Sequence, residues 1–144
     1  YEASVSVDGQ ICGSIGPGVC VLLGVTHEDR GEEVRLLARK VAHLRIFRDE
    51  AGRMNRSLLD TEGSALVIPN FTLYADCSHG RRPFYGAAAA PEHAESLYHE
   101  FKKALGGLLE GRVAEGMFGA DMTVRLSGQG PVTILLDTDD WNTP

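Results

Sequence analysis

Apolar residues in this chain follow two different periods, and the switches between them mark its elements. Residues 3–7 alternate small or polar with apolar side chains, Asp8-Gly9 has hairpin-turn chemistry, and residues 10–15 return. A β-hairpin is the predicted start. Gly16-Pro17-Gly18 breaks the pattern, and residues 19–25 follow as a nearly continuous apolar run, which predicts a central strand covered on both faces. Helical spacing then appears at Val34, Leu37, Ala38, Val41 and Leu44. Glu32 and Glu33 suit the positive end of a helix over residues 32–44. Ile46-Phe47 reads as a short strand ended by the turn Asp49-Glu50-Ala51-Gly52, and residues 65–68 as an apolar strand running into Pro69-Asn70-Phe71-Thr72-Leu73.

A polar, glycine-containing stretch over residues 74–86 carries Arg81 and Arg82. Connections of that length in a compact domain are usually functional or mobile. Pro91 suits the first position of a second helix, whose buried stripe is Ala94, Leu97, Tyr98, Phe101, Ala104, Leu105 and Leu108. Gly106-Gly107 predicts that it ends or frays nearby. Residues 112–115, 122–126 and 132–136 read as the last strands, the final two joined by Ser127-Gly128-Gln129-Gly130, and residues 138–144 as a loose tail. About seven short strands and two helices predict one α+β domain over residues 1–137, with helices packed on a mainly antiparallel sheet.

Composition narrows the classes. A chain of 144 residues with 43% hydrophobic and 24% charged residues suits a single folded domain with one core. No apolar run approaches the ~20 residues of a membrane helix. Cys12, Cys20 and Cys77 are odd in number and lack metal-ligand spacing, so we expect a reducing, cytoplasmic setting. A net charge of −6 disfavours broad, sequence-blind binding of nucleic acid but leaves room for a local basic patch.

The sequence contains no nucleophile elbow, Walker loop or HExxH motif, and its five histidines share no ligand spacing, so neither metal nor cofactor is expected. Two segments stand out. At Pro69 an apolar strand must stop pairing, and the amides of Phe71 and Thr72 beyond it are candidates to face a ligand. Thr72 could be a nucleophile only with a neighbouring base, and none is visible in the sequence. In Gly128-Gln129-Gly130-Pro131-Val132-Thr133 the plain reading is a hairpin turn. The functional reading is a rigid strip of backbone that approaches a ligand closely.

These segments belong to an ordered set: Gly13-Ser14-Ile15-Gly16-Pro17-Gly18, Leu22-Leu23-Gly24-Val25-Thr26-His27, Leu44-Arg45-Ile46-Phe47, Met54-Asn55, Phe71-Thr72-Leu73-Tyr74-Ala75-Asp76-Cys77, Gly80-Arg81-Arg82-Pro83, Phe118-Gly119-Ala120-Asp121-Met122 and Gly130-Pro131-Val132-Thr133. Together they resemble the D-aminoacyl-tRNA deacylase family. The resemblance implies a metal-free homodimer with a barrel-like α+β fold that hydrolyses the ester between a D-amino acid and the terminal adenosine of tRNA. It implies that Phe71 and Thr72 form the active centre. Gly130-Pro131 would be a cis dipeptide reaching into the partner's pocket to sort chirality. Phe118 and Met122 would pack around the adenine, and Asn70, Arg81 and Arg82 would make further substrate contacts. The family usually has Ser-Gln where this chain has Pro69-Asn70, and a common Asn where it has Gln129. Two alternatives therefore stay open: an editor of mischarged L-alanyl-tRNA, and a non-catalytic tRNA-binding module. The family's usual first strand lies before Tyr1, so we expect the natural chain to begin further upstream.

Overall fold

The computed structural model describes residues 1–141 of the chain. Its strands are β1 (Glu2–Val7), β2 (Gln10–Ile15), β3 (Gly18–Leu23), β4 (Phe47–Arg48), β5 (Met54–Arg56), β6 (Ser64–Pro69), β7 (Val113–Glu115) and β8 (Thr123–Ser127). Helix α1 spans Gly31–His43, α2 is a single turn at Leu58–Thr61, and α3 spans Pro91–Leu108; 3-10 turns lie at Phe71–Tyr74 and Thr138–Trp141.

Two three-stranded sheets, ordered β2-β1-β8 and β3-β6-β7, form the body, with β4-β5 as a small separate hairpin. The β1 and β4 ladders are antiparallel, whereas both ladders of β6 are parallel. Parallel neighbours need long crossovers, and the helices lie in them: α1 between β3 and β6, α3 between β6 and β7.

Strand β6 explains the layering. Successive side chains of a strand point to opposite faces. Ala65 and Val67 enter one core with Ala38 and Val41 of α1 and Leu97, Tyr98, Phe101 and Leu105 of α3. Leu66 and Ile68 enter a second core with Ala3 and Val5 of β1. Helices thus cover one face of the parallel sheet, and the antiparallel sheet covers the other. The α+β reading holds, as do both long helices, to within one residue at each end of α1. At its start the Glu33 carboxylate reaches back to accept the Arg30 N–H at 2.9 Å, a capping bond that holds the first turn.

The structure corrects several details. The strand covered on both faces is β6; β3 lies at its sheet's edge with Leu22 exposed, because the parallel order places β6 between β3 and β7. Residues 132–136 are not a strand. No strand pairs with them among the described residues, and Val132, Ile134 and Leu135 stay exposed, since an apolar pattern cannot supply a pairing partner. The sequence reading missed β5 and α2. The latter begins at Ser57, whose hydroxyl accepts the Asp60 N–H at 3.1 Å while the Asp60 carboxylate accepts the Ser57 N–H at 2.8 Å. The predicted loose tail instead folds into the Thr138–Trp141 turn, with Thr138 buried and the Lys40 ammonium 5.3 Å from the Trp141 ring centre. The rest of that tail, 142–144, lies outside the described residues.

One buried hydrogen bond ties α3 to β6: the Tyr98 hydroxyl donates to the Val67 carbonyl at 2.8 Å. The same carbonyl also accepts the Gly116 N–H at 3.0 Å. Tyr98→Phe therefore leaves no buried acceptor unpaired and should lower unfolding stability by about 1 kcal/mol in urea titration. An unchanged midpoint would show that this bond does not help hold α3 on the sheet.

Candidate active site

The Phe71–Tyr74 turn is built by the way β6 ends. Pro69 is its last residue, in parallel register with Leu23, and the Asn70 N–H continues the ladder by donating to the Leu23 carbonyl at 2.8 Å. The chain then curls into one 3-10 turn, closed by Leu73 N–H to Asn70 C=O at 3.4 Å and Ala75 N–H to Thr72 C=O at 3.1 Å. The first N–H groups of any such turn have no carbonyl behind them. The amides of Phe71 and Thr72 accordingly have no hydrogen-bond partner among the described residues. The Thr72 hydroxyl donates to Asn70 Oδ1 at 2.5 Å. Among the described residues no histidine or carboxylate is bonded to that hydroxyl, so none of them is placed to activate it.

Aromatic and sulfur-containing side chains gather near this turn. The half-exposed Phe71 ring meets Tyr85 edge-to-face, with ring centres 5.1 Å apart. Gly116, directly after β7, has no side chain; a Cβ there would stand 2.8 Å from Met122 Sδ and 3.6 Å from Pro69 Cδ. Met122 therefore lies beside the end of β6. Phe118, on the same loop, is half-buried and packs 6.1 Å from the Tyr98 ring centre.

The polar stretch that carries Arg81 and Arg82 is held at several points. Asp76 and Phe84 exchange backbone hydrogen bonds of 2.7 and 2.9 Å, the Thr26 hydroxyl donates to Ala87 C=O, and the His27 ring bonds Gly86 C=O at 2.7 Å. The Asp76 carboxylate accepts both the Ser78 hydroxyl and its N–H, which holds it below the usual carboxylate range. Arg81 and Arg82 are exposed and make no hydrogen bond or ion pair among the described residues.

Gly130 and Pro131 lie elsewhere. Their peptide bond is cis, as the resemblance implies, and Gly130 has φ +116°. Every residue from 123 to 135 is exposed, and the atoms nearest a Cβ built on Gly130 belong to Val132. No hydrogen bond joins this strip to Phe71 or Thr72. Within one chain, Asn70, Phe71, Thr72 and Met122 come together at the end of β6, whereas Gly130-Pro131 stands apart.

Sequence reasoning missed two features. One is the Phe84-Tyr85 pair, which the position of two exposed aromatics after Arg81-Arg82 could have signalled. The other is a cavity of about 50 Å³ behind the turn, lined by Tyr74, Asp29, Glu33, Asp137 and Thr138 among others. Nothing local in the sequence links residues so far apart. Burial, then the nearby Asp29, Asp137 and Asp139, pushes the Tyr74 hydroxyl up to about 12. Among the described residues no cluster of three or more His, Cys, Asp or Glu is placed to hold a metal ion, and no helix is long and apolar enough to cross a membrane.

Residues 1–137 match the family model described as D-Tyr-tRNA(Tyr) deacylase. A D-aminoacyl-tRNA deacylase from Thermomicrobium roseum is 56% identical, the alignment covering 95% of this chain and 88% of the relative. That from Thermus aquaticus is 50% identical over 96% of this chain and 91% of its own. Among solved structures, one titled "c-Myc DNA Unwinding Element Binding Protein" superposes with a TM-score of 0.90 at 37% identity, covering 94% of this chain and 92% of that one. Another, titled a probable eukaryotic D-amino acid tRNA deacylase, shares the fold with a TM-score of 0.74 at 17% identity, covering 90% of each chain.

The cavity gives the site a pH signature. Burial raises the Asp29 carboxyl above its ordinary 3.8; the Thr26 N–H it accepts opposes the rise, and Glu33, Asp139 and Asp137 add to it. A carboxyl raised by folding costs nothing below 3.8, where it is protonated in both states, and costs stability as pH climbs through its raised value. The Tm of Asp29→Asn minus that of the parent protein should therefore grow as pH rises from about 3 to 7. A difference independent of pH would mean that the Asp29 charge is not penalised.

Proposed function

The chain belongs to the D-Tyr-tRNA(Tyr) deacylase family and hydrolyses the ester bond of D-aminoacyl-tRNA, and we propose that main-chain groups, not a side-chain nucleophile, carry the reaction. The observation that carries this reading is the pair of unpartnered amides at Phe71 and Thr72, beside a Thr72 hydroxyl already committed to Asn70.

An aminoacyl ester is an activated acyl group with a 2′-hydroxyl next to the scissile bond. As water adds to the carbonyl carbon, negative charge develops on the carbonyl oxygen, and the Phe71 and Thr72 N–H groups receive it. Each such donor is worth about 3 kcal/mol to the transition state. The bond from carbon to the 3′-oxygen then breaks. The 3′-oxygen takes up a proton while the attacking water loses one, with the neighbouring 2′-hydroxyl placed to relay it. Asn70 fixes the turn, Phe118 and Met122 bound the adenine, and Arg81 and Arg82 meet phosphates.

Chirality is sorted by a second copy of the chain. Residues 123–135 form an exposed strip that includes Val124, Leu126, Val132, Ile134 and Leu135, which favours burial against a partner. The reading places the Gly130-Pro131 carbonyls of one protomer across the reactive turn of the other. An L side chain collides with them, a D side chain points away, and glycine has nothing to collide. No metal takes part, and the protein works in the cytoplasm. Pro69-Asn70, in place of the usual pair, is the feature that favours looser selection, extending to L-alanyl-tRNA.

Two measurements test this. With a chelator present, the protein should cleave D-tyrosyl- and glycyl-tRNA and spare L-tyrosyl-tRNA; resistance of the glycyl ester removes the carbonyl-wall account, and cleavage of L-alanyl-tRNA supports the looser editor. Thr72→Ala should keep kcat within about tenfold, roughly 1.4 kcal/mol of barrier. Loss of nearly all turnover with tRNA binding intact would make the hydroxyl the nucleophile.

A further inference from the structure

Phe84 has no part in the mechanism above, yet it is held more firmly than an idle surface residue needs to be. Its N–H and C=O both bond to the Asp76 backbone, at 2.9 and 2.7 Å. The residue is nonetheless 67% exposed. The ring lies close to Gly86, where a Cβ would stand 2.4 Å from two ring carbons, so the missing side chain leaves the ring its seat. The next residue, Tyr85, sets its ring against Phe71 of the reactive turn. Arg81 and Arg82, just before it, are exposed and unpaired among the described residues.

A lone exposed apolar residue is ordinary. A seated, outward-facing ring beside two free guanidinium groups, and one residue from a contact with the active turn, is the arrangement that binds single-stranded nucleic acid. Every base has a π face, and the cations meet the backbone between bases. We propose that Phe84 is a stacking platform for a base of the unpaired 3′ end of the substrate, upstream of the terminal adenosine, with Arg81 and Arg82 meeting the adjoining phosphates. This rests on the deacylase reading and adds a second anchor for the RNA. It also explains how a chain of net charge −6 gathers positive potential where the RNA passes.

The test compares two esters of D-tyrosine, one on full-length tRNA and one on adenosine alone, which has no upstream base. Phe84→Ala should raise KM for the tRNA ester roughly five- to a hundredfold relative to the adenosine ester, with little change in kcat. Phe84→Trp should keep the parent ratio of the two, and Gly86→Ala, which displaces the ring, should fall between. A ratio unchanged in Phe84→Ala overturns the platform and leaves the deacylase reading standing. Equal losses on both esters also overturn it, and assign the ring to bracing Phe71 through Tyr85. A Phe84→Ala protein that changes oligomeric state in sedimentation overturns it by assigning the ring to a protein interface. A parent protein that cleaves neither ester overturns the deacylase reading and the platform with it.

Discussion

Residues 65–68 of β6 lose contact with water on both sides of the strand, and that double burial demands an apolar layer above and another below. Helices α1 and α3 supply one layer as the crossovers that parallel pairing requires, and β1 supplies the other. The same demand fixes where the strand stops. A strand enclosed on both faces has to surface before it can turn: burial falls at Pro69, the Asn70 N–H makes the last ladder bond, and Phe71 is exposed. The turn just beyond it is thus anchored by the best-packed element in the molecule, yet its first amides are left open.

Anchoring and exposure together favour the proposed chemistry. Donors on a rigid main chain need no reorganisation as charge develops, which is why preorganised amides act strongly on a forming oxyanion. A site made of backbone also explains why catalytic side-chain motifs are missing from the sequence. Selectivity then has to come from shape. In the proposed reading, the exposed cis Gly130-Pro131 strip of a second copy supplies it.

Much of this was legible in the sequence, for identifiable reasons. The stripes of α1 and α3 repeat over several turns, and each helix carries its own start signal, Glu32-Glu33 and Pro91, so both were found nearly to the residue. The break at Pro69 and the change of course just beyond it are visible because proline and a change of polarity are local signals. Pairing was not visible. The apolar run of β3 reads like a buried central strand, but which strand is central depends on sheet order, a property of the whole chain. Residues 132–136 carry strand-like chemistry and no pairing partner. The Asp29, Tyr74 and Asp137 cavity joins three distant segments and leaves no pattern in any of them.

The central claim is that the Phe71 and Thr72 amides bind the reacting carbonyl. The most direct measurement follows their proton resonances while the protein is titrated with a non-hydrolysable amide analogue of D-tyrosyl adenosine. The account predicts that both amide protons move downfield and gain protection from solvent exchange with the D analogue, and that neither responds to the L analogue. Saturable binding of the D analogue that leaves both amides exchanging as in the free protein would contradict it.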